Sequence, residues 1–66
     1  ENDMEYDVVY SRDVWYGRVF VDVVYDSDLC VYMLRWREDG KAGGFLYGIC
    51  VDKDDAVARA GRVCIG

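Results

Sequence analysis

The sequence predicts an α+β domain, in which a four-stranded antiparallel β-meander is followed by one short C-terminal helix. Turn-forming residues divide the chain before Asp52 into four runs rich in β-branched and aromatic residues, as strands require. After these runs, an acidic first turn, three alanines and a glycine are typical of a helix over residues 52–61. Because 66 residues support one hydrophobic core, residues 1–66 are predicted to form a single domain.

Three two-residue turns are predicted to connect the strands. They are Arg12-Asp13, Ser27-Asp28 and Asp39-Gly40. The Asp-Gly pair is the strongest signal, because it supplies the positive φ angles of a type I′ hairpin. In order along the chain, the turns set Tyr10 opposite Trp15, Val21 opposite Leu34, and Leu34 opposite Phe45. All three place apolar residues on one sheet face, which is the pattern expected of a correct register.

The predicted helix is small compared with the face that it must cover, which also includes Cys30 and Trp36. Either the sheet curls strongly on itself at its glycines, or a second copy of the chain covers the remainder in a homodimer. Gly61 is predicted to end the helix, although the periodicity also allows it to continue to Cys64. Residues 63–65 then form either a short fifth strand or a packed tail.

The opposite face of the sheet is predicted to carry a second apolar cluster of Val24, Val31, Met33 and Leu46. An apolar cluster on a face that should meet solvent usually marks a contact surface. This cluster favours an alternative function, that of a structural or regulatory homo-oligomeric β-sheet module of the antitoxin type.

The residue types that carry most catalysis are absent from the sequence. It has no histidine and no threonine, and both serines fall at or beside predicted turns with no base nearby. Its three cysteines are an odd number without CxxC spacing, which indicates reduced thiols and a cytoplasmic location. We therefore expect no enzyme activity, no metal site and no cofactor. No apolar run approaches the ~20 residues that span a membrane, so no membrane partner is expected.

Charge supplies the main functional signal. The net charge is −5, and the first 28 residues carry eight acids against two bases, or −6. Such a surface repels nucleic acid and attracts basic proteins, so the expected partner is a basic protein that itself binds nucleic acid. Direct binding to nucleic acid is not expected. The predicted partner-binding residues are Glu5, Asp7, Asp22, Asp26 and Asp28, with the aromatic residues Tyr16 and Phe20.

The combination of small size, high aromatic content, local acidity and missing catalytic residues resembles phage-encoded nucleic-acid mimics, including some anti-CRISPR and anti-restriction proteins. The likeness is one of general character and includes no shared motif. It implies an inhibitor whose carboxylates replace phosphates in a positively charged cleft. A simpler interpretation stays open, in which the acids keep an aromatic-rich domain in solution.

Overall fold

A computed structural model describes residues 6–41 and 43–64, and it confirms the predicted fold class. The strands are β1 (Tyr6–Trp15), β2 (Val19–Asp26), β3 (Val31–Glu38) and β4 (Phe45–Cys50), and the helix is α1 (Lys53–Gly61). The strands form one antiparallel sheet in the order β1-β2-β3-β4. The principal extents are 34 × 29 × 15 Å, which suit a sheet covered by one layer of helix. The strong curling of the sheet is not confirmed.

The helix packs on one face of the sheet and forms the core there. Val21, Val23 and Leu34 from the central strands meet Ala56 and Ala60 of α1, and all five are buried. Alanine at both helix positions allows the helix backbone to lie close to the sheet. The predicted apolar face is therefore the core face.

The first hairpin turns later than predicted. Arg12 and Asp13 lie within β1, and the turn is formed by Tyr16 and Gly17, whose φ angles are 49° and 70°. The backbone N–H of Arg18 donates to the carbonyl of Trp15 at 2.8 Å, which closes a turn with the positive φ angles of type I′. The predicted Arg12-Asp13 turn was wrong because Gly17, four residues beyond Asp13, adopts the positive φ at low cost.

The second connection is a loop of residues 27–30, and Asp26 pairs with Val31. The Asp26 Oδ1 atom accepts hydrogen bonds from the backbone N–H groups of Asp28 and Leu29 at 2.9 and 3.4 Å, which stabilise this loop. Cys30 lies in the loop with φ 57° and is exposed, so its predicted place in the core was wrong. The longer loop shifts the pairing by two residues.

The third turn lies where predicted, at Asp39-Gly40, since the N–H of Lys41 donates to the carbonyl of Glu38 at 3.2 Å. Of these two residues only Gly40 has a positive φ, at 80°, so the predicted type I′ geometry was wrong. The connection nevertheless continues to Gly44, and β4 begins at Phe45. Phe45 pairs with Trp36 instead of Leu34. A bulge then sets Leu34 opposite Gly48, where a Cβ atom would lie 3.0 Å from Leu34 Cδ1.

The helix begins and ends near the predicted residues. The Asp52 side chain accepts a hydrogen bond from the N–H of Asp55 at 3.0 Å and caps the helix, which ends at Gly61. After the helix, Val63 packs against the core. Residues 63 and 64 form no strand, and Ile65 lies outside the described residues. Among the helices of the described chain, none is long and apolar enough to cross a membrane.

Candidate functional site

The fold brings only some of the predicted partner-binding residues together. Asp26 and Asp28 lie where β2 ends, whereas Tyr16 and Phe20 lie near its beginning. Along β2, the six residue steps from Phe20 to Asp26 separate these two groups by roughly 20 Å, at ~3.3 Å a residue. Asp7 is opposite Tyr25, so it lies near Asp26 but on the helix side of the sheet. Glu5 lies outside the described residues.

Asp22 was predicted to be exposed, and the structure corrects this. Its side chain is on the face opposite the helix, as expected, but it is completely buried. The carboxylate accepts hydrogen bonds from Arg37 Nε at 2.7 Å, Arg35 Nη2 at 2.8 Å and Ser11 Oγ at 2.7 Å. Burial on its own would raise the pKa of Asp22, but the bonds from Arg37, Ser11 and Arg35 outweigh it, and the pKa lies below its ordinary 3.8. This carboxylate holds the sheet together and is not presented to a partner.

Phe20 belongs to the same cluster. The guanidinium carbon of Arg37 lies 4.6 Å from the centre of the Phe20 ring, within the range of a cation–π contact. The hydrogen bond to Asp22 raises the pKa of Arg37 above its ordinary value, so the arginine is charged at any physiological pH. Phe20 is half-buried and already contacts Arg37. Tyr16 is 87% exposed, and its ring contacts that of Trp15 edge-on.

A different acidic surface is assembled at the end of the sheet where β2 ends and β3 begins. Because β4 runs towards that end, with Cys50 opposite Tyr32, the helix also starts there. The helix start adds three carboxylates to those of β1 and the β2–β3 loop. We call this surface the acidic end, and it consists of Asp7, Asp26, Asp28, Asp52, Asp54 and Asp55.

Charge is sorted strongly between the acidic end and the rest of the chain. Within the described residues, the acidic end holds six acids and one base, Lys53, a charge of −5. The remainder holds seven bases and four acids, a charge of +3. In the sequence, Asp52, Asp54 and Asp55 indicate only the first turn of a helix; their approach to Asp26 and Asp28 follows from the meander, which brings the end of β4 to the same end of the sheet as the β2–β3 loop.

The carboxylates of the acidic end differ in their freedom. Asp26 and Asp52 each accept local backbone N–H groups and are held in place. Asp7, Asp28, Asp54 and Asp55 are exposed, and none forms a salt bridge within the described part of the chain. The surface therefore combines a fixed frame with carboxylates that project into solvent.

An apolar surface lies along β4, at the opposite edge of the sheet from β1. Phe45, Leu46, Tyr47, Ile49 and Val51 are all exposed, and Phe45 is 67% exposed. The apolar cluster predicted on the outer face is different: Val24 and Met33 are buried there without the help of another chain. The longest run of exposed apolar side chains in the described chain is thus at the β4 edge, and it includes Leu46 of the predicted cluster.

Two shallow grooves flank Gly43 and Gly44, and their linings are mainly apolar. Arg35 lines one groove but is already bonded to Asp22. Across residues 6–41 and 43–64, no group of three His, Cys, Asp or Glu side chains is placed to hold a metal ion. Comparison with models of protein families, with curated proteins and with solved structures finds no match to this chain.

Proposed function

We propose that this chain is a non-catalytic, cytoplasmic binding protein whose acidic end occupies the basic nucleic-acid-binding surface of another protein. In this role it is an inhibitor, a nucleic-acid mimic of the anti-CRISPR or anti-restriction type. The observation that supports the proposal is the sorting of charge, with six carboxylates and one lysine at one end of the described chain.

In this mechanism the acidic end competes with DNA for the cationic side chains of the partner. A basic cleft binds DNA because its lysine and arginine side chains replace the counterions of the phosphates. Carboxylates at the acidic end offer the same side chains an alternative partner. Asp26 and Asp52 are held by backbone hydrogen bonds, so this part of the surface loses little conformational freedom on binding. Complementary charge also speeds the encounter of the two proteins.

The test compares two variants of equal net charge. Asp7→Lys/Asp28→Lys changes two exposed acids of the acidic end, whereas Glu38→Lys/Asp39→Lys changes two exposed acids at the other end of the sheet. Immobilised wild-type chain is used to capture proteins from a bacterial lysate at low salt, and excess duplex DNA is used to elute them. Dissociation constants of the eluted nucleic-acid-binding proteins are then measured for both variants.

We expect the acidic-end variant to bind on the order of a hundred-fold more weakly, since like charges across an interface cost several kcal/mol. The matched variant should bind within a few-fold of wild type. Equal weakening in both variants would mean that net charge alone, and not the acidic end, determines binding. Unchanged binding of Asp7→Lys/Asp28→Lys would contradict the proposal. High salt should weaken the wild-type complex as well.

A second candidate function, the homo-oligomeric β-sheet module of the antitoxin type, is favoured by one separate observation. The exposed apolar residues of β4 lie on an edge strand, away from the acidic residues of β1 and β2.

A further inference from the structure

β4 is an edge strand with an unusual composition. Its inner edge pairs with β3, and no backbone hydrogen bond from another described residue reaches its outer edge. No charged residue occurs between Lys41 and Asp52, which is a stretch of ten residues. Charges and irregular backbone are the usual means by which proteins keep an edge strand from pairing, and β4 has one bulge and no charge.

The other edge strand, β1, has the features that keep an edge from pairing with another strand. β1 carries Asp7, Arg12 and Asp13 along its length. Its pairing with β2 is interrupted twice, between Val8 and Tyr10 and between Asp13 and Trp15. The two edges therefore differ in charge and in regularity, and β4 is the edge suited to accept another strand.

We infer that β4 pairs antiparallel with β4 of a second copy of this chain, forming a continuous eight-stranded sheet. The twofold axis passes near Tyr47, the middle of the uncharged stretch, and it leaves both helices on the same face of the joined sheet. This inference concerns the β4 edge; Asp52 is the one residue of the acidic end that it uses, and it does not depend on the proposed binding to a basic protein.

The charges at the two ends of the uncharged stretch favour a second copy of this chain as the partner, and they favour antiparallel over parallel pairing. The uncharged stretch is bounded by Lys41 on one side and by Asp52 on the other. An antiparallel pair brings Lys41 of each copy towards Asp52 of the other, whereas a parallel pair would bring like charges together at both ends. The symmetric arrangement also sets apolar side chains of one copy beside apolar side chains of the other.

The size of the surface is consistent with a weak or moderate dimer. The five exposed side chains of the β4 edge offer roughly 500 Å² of apolar surface, taking ~150–250 Å² for a large aromatic side chain. A standard stable interface buries ~800 Å² on each partner. The paired backbone supplies hydrogen bonds and part of the remaining area, so we expect association in the micromolar range.

Val8 and Ile49 provide a matched pair of variants. They lie in one cross-strand row of the outer face, with Val24 and Met33 between them. They are 54% and 60% exposed, and they belong to opposite edge strands. Ile49→Lys places a charge on the proposed interface, and Val8→Lys places the same charge on the same face at the far edge.

The experiment is sedimentation equilibrium of the wild type and both variants over a wide concentration range, at low and high salt. We expect a wild-type dimer that high salt weakens by no more than a few-fold, a dissociation constant raised at least a hundred-fold in Ile49→Lys, and wild-type association in Val8→Lys. Melting temperatures near that of the wild-type monomer would show that both variants are folded.

Hydrogen exchange then identifies the strand that pairs. We expect amide protection in β4, and not in β1, to rise with wild-type concentration and to stay low in Ile49→Lys. A wild-type chain that remains monomeric at every concentration would overturn the inference. Loss of the dimer in both variants would also overturn it, in favour of packing between outer faces.

Discussion

Arg37 Nε lies 2.7 Å from Asp22 Oδ2, and this ion pair sits on the sheet face that the helix does not cover. A buried carboxylate is tolerated only when its charge and lone pairs are satisfied. Arg35, directly opposite on β3, and Ser11, directly opposite on β1, provide the remaining hydrogen bonds. Asp22 thereby links all three of the first strands through side chains.

Replacing Asp22 should destabilise the fold. Asp22→Ala removes the acceptor for two arginines and a serine, and we expect the free energy of unfolding to fall by about 2–4 kcal/mol. We expect a loss in the lower part of that range, because both arginine side chains are partly exposed and water can solvate them once the carboxylate is gone. Urea unfolding gives the value, and Asp28→Ala, at an exposed acid, should stay within about 0.5 kcal/mol of wild type.

The same carboxylate should make stability depend on pH. Its pKa in the folded chain lies below the ordinary 3.8, so the folded state favours the charged form. The resulting stabilisation is fully present above pH 3.8 and is lost as the pH falls through the folded pKa. Unfolding of wild type and Asp22→Asn, measured from pH 7 to about pH 3, should show the stability difference shrinking on the acid side. A difference that stays constant would mean that Asp22 titrates alike in both states.

The sheet faces could be predicted from the sequence because side chains alternate with a period of two. The predicted pairing set Val21 opposite Leu34, and the structure sets Val23 there. A shift of two residues keeps every side chain on its face, so the core face was correct although the register was not. The loop length that caused the shift depends on the conformation of residues 27–30, and no turn signal in the sequence specifies it.

The candidate site could not be predicted in the same way. With Val21 opposite Leu34, Arg35 would be the one arginine close to Asp22, in the diagonal position, and Met33 would lie directly opposite. The observed register puts Arg35 there instead, so a two-residue shift converts a surface acid into a buried one. The acidic end differs in this respect: it joins residues far apart in sequence, and their proximity follows from the predicted sheet order and not from any local pattern.

Tyr16 should be a site where stability can be gained. Its φ of 49° is uncommon for a bulky residue, and its side chain is 87% exposed. Asparagine tolerates this conformation better, so Tyr16→Asn should stabilise the hairpin by about 0.5 kcal/mol. Thermal unfolding would measure the gain. A loss of stability would show that the edge-on contact with Trp15 matters more than the backbone preference.

Arg12 should fasten the end of the helix to the sheet. Its Nη1 atom donates to the carbonyls of Val63 at 2.6 Å and Ala60 at 3.2 Å, and the carbonyl end of a helix favours a cation. Arg12→Met keeps most of the side-chain volume and should cost about 1–2 kcal/mol. Hydrogen exchange should quicken at the end of α1, whereas Arg62→Met, at an exposed residue, should leave it unchanged.

Gly44 should be intolerant of any side chain, because of its neighbours and not its backbone angles. A Cβ atom there would lie 2.7 Å from Arg35 Cδ and 2.7 Å from the carbonyl oxygen of Trp36. The arginine side chain can move aside, but the carbonyl belongs to β3, so the start of β4 must shift outward. We expect Gly44→Ala to lower the free energy of unfolding by about 1–3 kcal/mol in urea, as overpacking does elsewhere.

Gly40 is the control for this substitution. It has φ 80° and no atom within 4 Å of a Cβ, so Gly40→Asn should leave the free energy of unfolding nearly unchanged. If Gly44→Ala were equally neutral, β4 would be free to move away from β3 at its first residues, and the edge would be too loose to accept a second strand.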